Sequence, residues 1–161
     1  MTFDPHLLSI RPVTAGDEEF LFTVYAGSRG DDLRELGWDE GRINEFLRMQ
    51  YEAQQRFLDS EYQHADDQVV IVDGERAGRL LVEKRDHEIR GIEIALLPEF
   101  RDRGVGSWLI SQLQSEAARV RKPIRIQVIR FNRAIGLLKR LGFVRTSETG
   151  THYQMEWQAD S

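Results

Sequence analysis

Leu7, Leu8 and Ile10 sit among polar neighbours up to Pro12, a pattern that predicts a short first strand over residues 7–12. Thr14, with Asp17 three residues on, signals a helix start. The helix that follows carries Phe20, Leu21, Val24 and Tyr25 on one side, and Gly27 and Gly30 read as its breakers. A longer helix is expected from Asp39 to about Tyr62, on Ile43, Phe46, Leu47, Met49, Tyr51, Phe57 and Leu58. Its apolar stripe drifts around the axis, so one break is expected in it.

The second half alternates more. Gln68 to Val72 is a compact β-branched run, Asp73-Gly74 is a hairpin turn, and a second strand runs from Arg76 to about Arg85. Ile89, Ile92, Ile94, Leu96 and Leu97 mark another strand, ended by Pro98. From Gly104 to Val120, the residues Val105, Trp108, Leu109, Leu113, Ala117 and Val120 keep helical spacing, and Pro123 stops that helix. Ile124, Ile126, Val128 and Phe131 alternate as a strand. Asn132 to Leu141 reads as a short helix closed by Gly142. Residues 143–147 and 151–157 form a last strand pair about Gly150.

The predicted order is β-α-α-β-β-β-α-β-α-β-β. Hairpins in its middle argue against a purely parallel doubly wound sheet, and a mixed α/β fold with a mostly antiparallel central sheet flanked by helices is expected. At 161 residues the chain suits one domain, 1–161, with a full core. The net charge of −5 argues against a duplex nucleic-acid partner. The sequence has no cysteine, which removes thiol nucleophiles, disulfides and thiolate metal sites together. No signal peptide and no membrane-length apolar run is read, so a cytoplasmic protein is expected. His64, Asp66 and Asp67 have no second cluster to support them, and no metal is expected. The acidic group Asp31, Asp32, Glu35 and Asp39 reads as a solvated face or as a lure for a cationic acceptor.

The densest chemical signal is residues 92–110, where a strand runs into Pro98, a basic loop follows and a helix begins. The first amides of a helix lack intrahelical acceptors and carry the positive end of its dipole, which favours a phosphate. Gly104 and Gly106 let ligand oxygens approach the main chain, and Arg101 and Arg103 add charge. No Gly-Lys-Ser/Thr follows, so this is not a P-loop, and the spacing is not that of a Rossmann fingerprint.

Arg101, Gly104 and Gly106 resemble the [R/Q]-x-x-G-x-[G/A] pattern of the GNAT superfamily of N-acetyltransferases. Asn132, followed by Leu137 through Phe143, resembles the family's N-x-x-A-x-x-[LY]-Y-x-x-x-G-F segment, and Ile10-Arg11-Pro12 adds a weaker match. The resemblance implies a sheet whose neighbouring strands splay around acyl-CoA, with acetyl-CoA as cosubstrate and a small-molecule or peptide amine as acceptor. It further implies that Leu96 and Leu97 line the pantetheine, that the amides from Arg101 through Val105 and Gly106 to Ser107 hold the pyrophosphate, and that Asn132 touches the cofactor from the other side. Dimers are common in the family.

Two positions depart from it. The tyrosine that often protonates the leaving thiolate falls on Leu138, and a frequent general-base glutamate falls on Gln127. Glu93 is a candidate replacement base, set against a solvent-facing or salt-bridged carboxylate, and Tyr153 is the preferred acid, set against a half-buried strand tyrosine. His152 as a relay, Ser107 on the phosphate and unassisted departure of the thiolate remain open. Leu138→Tyr is expected to leave activity unchanged or to raise it; a large loss would show that Leu138 packs where a tyrosine cannot fit. The two departures also leave open a non-catalytic acyl-CoA-binding or sensing module on the same fold.

Overall fold

The computed structural model describes residues 4–27, 29–130 and 134–159. The first strand, β1 (Leu8–Pro12), leads into Thr14, which caps a short 3-10 turn at Ala15–Asp17 and the helix α1 (Glu18–Ala26) behind it. Asp17 closes the cap by accepting from the Thr14 amide at 2.8 Å. Arg11 donates to both of its carboxylate oxygens at 2.8 Å, and Arg76 adds a third arginine nitrogen at 3.1 Å. These bonds, Arg11 first, hold the buried Asp17 carboxyl far below the usual carboxylate range.

Gly27 ends α1, but Gly30 does not break a helix. It lies inside α2 (Arg29–Glu35), buried where a Cβ would stand 3.3 Å from Ile43 Cγ2. Gly30 is thus a packing glycine, and a whole short helix occupies what reads as a loop. Asp39 caps α3 (Glu40–Glu61) by accepting from the Arg42 amide at 2.8 Å, and α3 runs without a break. The apparent drift in its stripe has a simple origin. Ile43, Leu47, Tyr51 and Leu58 face the sheet, whereas Met49 and Phe57 point to solvent at 60% and 56% exposure.

Strands β2 (Asp66–Val72), β3 (Glu75–Lys84) and β4 (Ile89–Leu96) form an antiparallel meander. Helix α4 (Val105–Val120) then crosses to β5 (Ile124–Ile129), α5 (Ala134–Arg140) follows, and β6 (Val144–Glu148) and β7 (His152–Trp157) end the fold. Among the described residues the sheet has seven strands in the order β1-β2-β3-β4-β5-β7-β6, and every neighbouring pair but β4–β5 is antiparallel. This is the mixed, mostly antiparallel fold that the pattern predicts.

Two apolar layers sandwich the sheet. Val105, Leu109, Ile110, Leu113 and Ala117 of α4, with Leu138 of α5, cover one face over Val82, Ile124, Ile126 and Met155. Helices α1 and α3 cover the other through Phe20, Leu21, Val24, Ile43, Leu47 and Tyr51 over Val69. The parallel pair β4–β5 runs only through Ile89–Ile124, Arg90–Arg125 and Gly91–Ile126. Beyond Gly91 the strands part.

Candidate active site

The parting of β4 from β5 has two local causes. At its vertex, a Cβ on Gly91 would lie 2.7 Å from Ile126 Cγ1, so only glycine lets the strands close there. Immediately after it, the β3–β4 register slips between Leu81–Glu93 and Val82–Gly91, leaving Ile92 as the extra residue of a β-bulge. A bulge bends its strand and raises its twist, here just where β4 leaves β5. From Ile92 on, β4 keeps β3 on one side and has an open edge on the other. Across the gap, Gln127, Val128 and Ile129 pair only with β7.

The basic loop stands at the end of this opening. Pro98–Phe100 forms a 3-10 turn, and Asp102 (φ 60°) and Gly104 (φ 89°) both adopt left-handed conformations before α4 begins. The first bond of α4 is from the Trp108 amide to Gly104 O at 3.0 Å, so the amides of Val105, Gly106 and Ser107 have no intrahelical acceptor. A Cβ on Gly106 would meet Leu137 Cδ2 of α5 at 3.4 Å, so the first turn of α4 faces α5 at this point. The Val105 side chain is buried and anchors the turn. Alternating left-handed residues, bare amides and an α-helix start make a cradle that fits a pyrophosphate.

The two loop arginines have different places. Arg101 turns back, its Nε donating to Leu96 O at 3.1 Å and its Nη2 lying near Gly27, so it ties the loop to β4 and α1. Arg103 is exposed, with its guanidinium 5.5 Å from the Phe100 ring centre. The Leu97 amide donates to Ala77 O of β3 at 2.8 Å, and its carbonyl accepts from Phe100 N–H at 3.0 Å. The turn that begins at Pro98 uses the carbonyl, and the sheet uses the amide. Asn132 lies outside the described residues.

Glu93 and its neighbours define the other wall. Ile94 and Leu96 pack toward α4, while Ala95 joins the layer under α1 and α3. Glu93 shares that second face, since its Oε2 lies 3.6 Å from Arg79 Nη1 and Arg79 in turn bonds Gln55 of α3. Glu93 Oε2 is buried with no hydrogen-bond partner, although the side chain keeps 18% exposure. Burial pushes the Glu93 carboxyl up, against the pull of Arg79 and Arg29. Arg79 donates to Asp67 through Nε and Nη2 at 2.8 and 2.7 Å and to Gln55 Oε1 at 2.7 Å. Tyr51 also ends in a buried, unpartnered hydroxyl, pushed up to about 12 by burial. Arg79, Asp67, Gln55 and Tyr51 come from three elements, and nothing in the sequence marks them as a group. The signal for them is Arg79 itself, a charge in the middle of the apolar strand Ala77–Val82.

Tyr153 is placed elsewhere. It pairs with Val128 on β7, packs against the layer under α4 and α5, and lies beneath the guanidinium groups of Arg130 and Arg145 at 5.2 and 4.7 Å. Glu93 and Tyr153 therefore stand on opposite faces of the sheet. His152 is bonded to Thr151 Oγ1 through Nδ1 at 2.8 Å, and Gln127 is exposed beside Gln154 on the face of Glu93. Leu138 has 2% exposure and is a core side chain. That reverses the expectation for Leu138→Tyr, because the core has no room for the larger ring. Within the acidic group before α3, Arg34 pairs with Asp31, and it also bonds Glu40 at the start of α3.

The described residues thus bring together an open parallel seam, a helix start with free amides at its mouth and a carboxylate on its wall. The sequence pattern of the Acetyltransferase (GNAT) domain matches residues 62–145, and the chain belongs to that family, whose members use acetyl-CoA. Solved structures share the fold. The PaiA N-acetyltransferase of Thermoplasma acidophilum in complex with coenzyme A superposes with a TM-score of 0.70 at 17% identity, over 94% of this chain and 99% of its own. A GNAT family acetyltransferase of Elizabethkingia anophelis with acetyl-CoA bound gives 0.63 at 14%, over 95% and 99%. An acetyltransferase of Thermus thermophilus gives 0.66 at 14%, over 94% and 97%. No curated protein sequence matches the chain.

Proposed function

We propose that this chain moves an acetyl group from acetyl-CoA to a primary amine by direct attack, with Glu93 as the base. The observation that carries the reading is the parting of β4 and β5 beyond Gly91, with bare helix amides at its mouth and, on its wall, a buried carboxylate oxygen that accepts no hydrogen bond. The similar structures that hold coenzyme A or acetyl-CoA support the cosubstrate. The amides of Val105, Gly106 and Ser107 take the pyrophosphate, Arg103 adds charge from solvent, and β4 at Leu96 lies along the pantetheine. Arg101 acts by holding Leu96 and the loop together.

The amine nitrogen attacks the thioester carbonyl, the C–N bond forms and the C–S bond breaks. Glu93 accepts the proton the amine loses, and a carboxyl raised by burial is a stronger base than an exposed one. The C–S electron pair leaves on sulfur, and a thiolate of pKa about 8.5 is a fair leaving group without an acid; Tyr153, on the face opposite Glu93, is not needed for that step. Thiol release from acetyl-CoA, followed over small amines, aminoglycosides and peptides, finds the acceptor. With that acceptor, Glu93→Gln should lower kcat/KM by about 100-fold or more, while calorimetric affinity for acetyl-CoA stays put. Wild-type turnover in Glu93→Gln removes Glu93 from the mechanism. Leu138 and Gln127 motivate a second reading, an acyl-CoA-binding module without turnover. Tight acetyl-CoA binding with no thiol release across the whole panel would establish it.

A further inference from the structure

Arg79 lies close enough to Glu93 to form an ion pair and yet does not hydrogen-bond it. Its Nη1 stands 3.6 Å from Glu93 Oε2, beyond a hydrogen bond, while Asp67 holds Nε and Nη2 and Gln55 holds Nη1. The row is fixed by the sheet: Asp67, Leu81 and Glu93 are register partners across β2, β3 and β4, and Arg79 lies two pairs further along on the same face, opposite Val69 and Ala95. The Arg79 side chain is 5% exposed, so the arrangement is shielded from solvent.

A carboxylate that accepts a full arginine hydrogen bond is stabilised as an anion and is a weak base. A carboxyl buried with no cation near it stays protonated at neutral pH and accepts nothing. Glu93 stands between these two cases. The groups that face it are Arg79 from β3, Asp67 from β2, Tyr51 from α3 and Arg29 from α2; the two arginines favour its charged form and Asp67 opposes it. Tyr51 stays neutral over the working range, since burial holds it up near 12.

We propose that Arg79 is a positioning residue for the base: Asp67 and Gln55 hold its guanidinium just out of hydrogen-bonding reach of Glu93, and that restraint decides the pH at which Glu93 becomes charged. This rests on Glu93 being the base of the proposed reaction. The two carboxylates compete for one arginine, and Asp67 wins through a bidentate grip. Removing either member of the Asp67–Arg79 pair then moves Glu93 in opposite directions. In Asp67→Asn the guanidinium is released toward Glu93, which becomes charged at lower pH. In Arg79→Gln the cation is gone and Glu93 becomes charged at higher pH.

The direct test is a pH titration of the ligand-free protein by carbon NMR of labelled glutamate carboxyls, with Glu93→Gln identifying the Glu93 resonance. Asp67→Asn should lower the Glu93 midpoint by about one pH unit, and Arg79→Gln should raise it by a similar amount, the scale of a close charge partner. Arg79→Lys, which keeps the charge but loses the bidentate grip, should stay on the wild-type side of Arg79→Gln. The acid limb of the kcat/KM profile, with the amine found by the thiol-release screen, should follow the same order. Midpoints that stay fixed, or that move the same way in Asp67→Asn and Arg79→Gln, overturn the proposal. Should Arg79→Gln fail to fold, a fixed midpoint in Asp67→Asn alone overturns it. An acid limb that survives in Glu93→Gln overturns the base reading instead, whatever the NMR midpoints do.

Discussion

Leucine at 138 and glutamate at 93 show how the same strand-and-helix frame can hold different side chains in place of familiar ones. Leu138 is 2% exposed and shares the core with Val105, Ile126 and Met155. Leu138→Tyr should therefore cost about 1–3 kcal/mol of stability by overpacking, read as a lower urea midpoint, and should not raise turnover. Nothing in the segment Leu137-Leu138-Lys139 says which leucine faces inward, because a seven-residue helix spans barely two turns. The asparagine of that segment was also harder to place than its pattern suggests. Asn132 precedes Ala134 by two residues where the pattern has three. Arg79, by contrast, was visible as a charge inside an apolar strand, but its partners Asp67 and Gln55 come from two other elements, and only the sheet register joins them.

Among the elements, α4 and the loop before it were the most legible. The stretch from Pro98 to Gly104 predicts a strand end, a turn and a helix start, and each appears within a residue of its expected place. The reason is that prolines and glycines act locally, through φ. Gly104 at φ 89° is such a position. Gly104→Val forces a branched residue into a left-handed conformation and puts its side chain over the bare amides, so it should abolish acetyl-CoA binding in calorimetry while the circular dichroism spectrum stays native. A folded Gly104→Val protein with wild-type affinity would remove the loop from the cofactor site. Helix α2 was illegible for the opposite reason. Arg29–Glu35 has one buried residue, Gly30, and its place is set by packing on α3 rather than by a pattern of its own. The bulge at Ile92 was equally hidden, since a register slip leaves no mark on the alternation of Ile92, Ile94 and Leu96.

Across the whole molecule, the sheet divides into a β1–β4 half and a β5–β7–β6 half, joined among the described residues by three register pairs. Charge reinforces the join at its closed end: Glu88 meets Arg90 at 2.8 Å and Arg125 at 3.0 Å, and Arg125 reaches Glu156 of β7 at 3.0 Å. Past Gly91 no backbone bond crosses between the strands. Saturating acetyl-CoA should slow hydrogen exchange most in residues 92–96 and 127–129 and in the first turn of α4, and least in β1. Uniform protection over the sheet, or none at the gap, would place the ligand elsewhere. The fold class was legible from the order of elements and the Asp73-Gly74 hairpin. The division of the sheet was not, because it arises from where two strands stop pairing.

A join of three pairs also bears on what acetyl-CoA would be to this protein besides a reagent. A ligand laid along the open edge of β4 would act as a temporary cross-link, supplying between the half-sheets the contacts that an eighth strand would otherwise make. Turnover would leave coenzyme A, which keeps the same pyrophosphate and pantetheine, so the halves would loosen only once that product departs, and the protein between ligands would be the looser of its two forms. Its stability and its supply of coenzyme A, acylated or free, would be linked quantities, so that a cell short of both would hold a softer population of this protein.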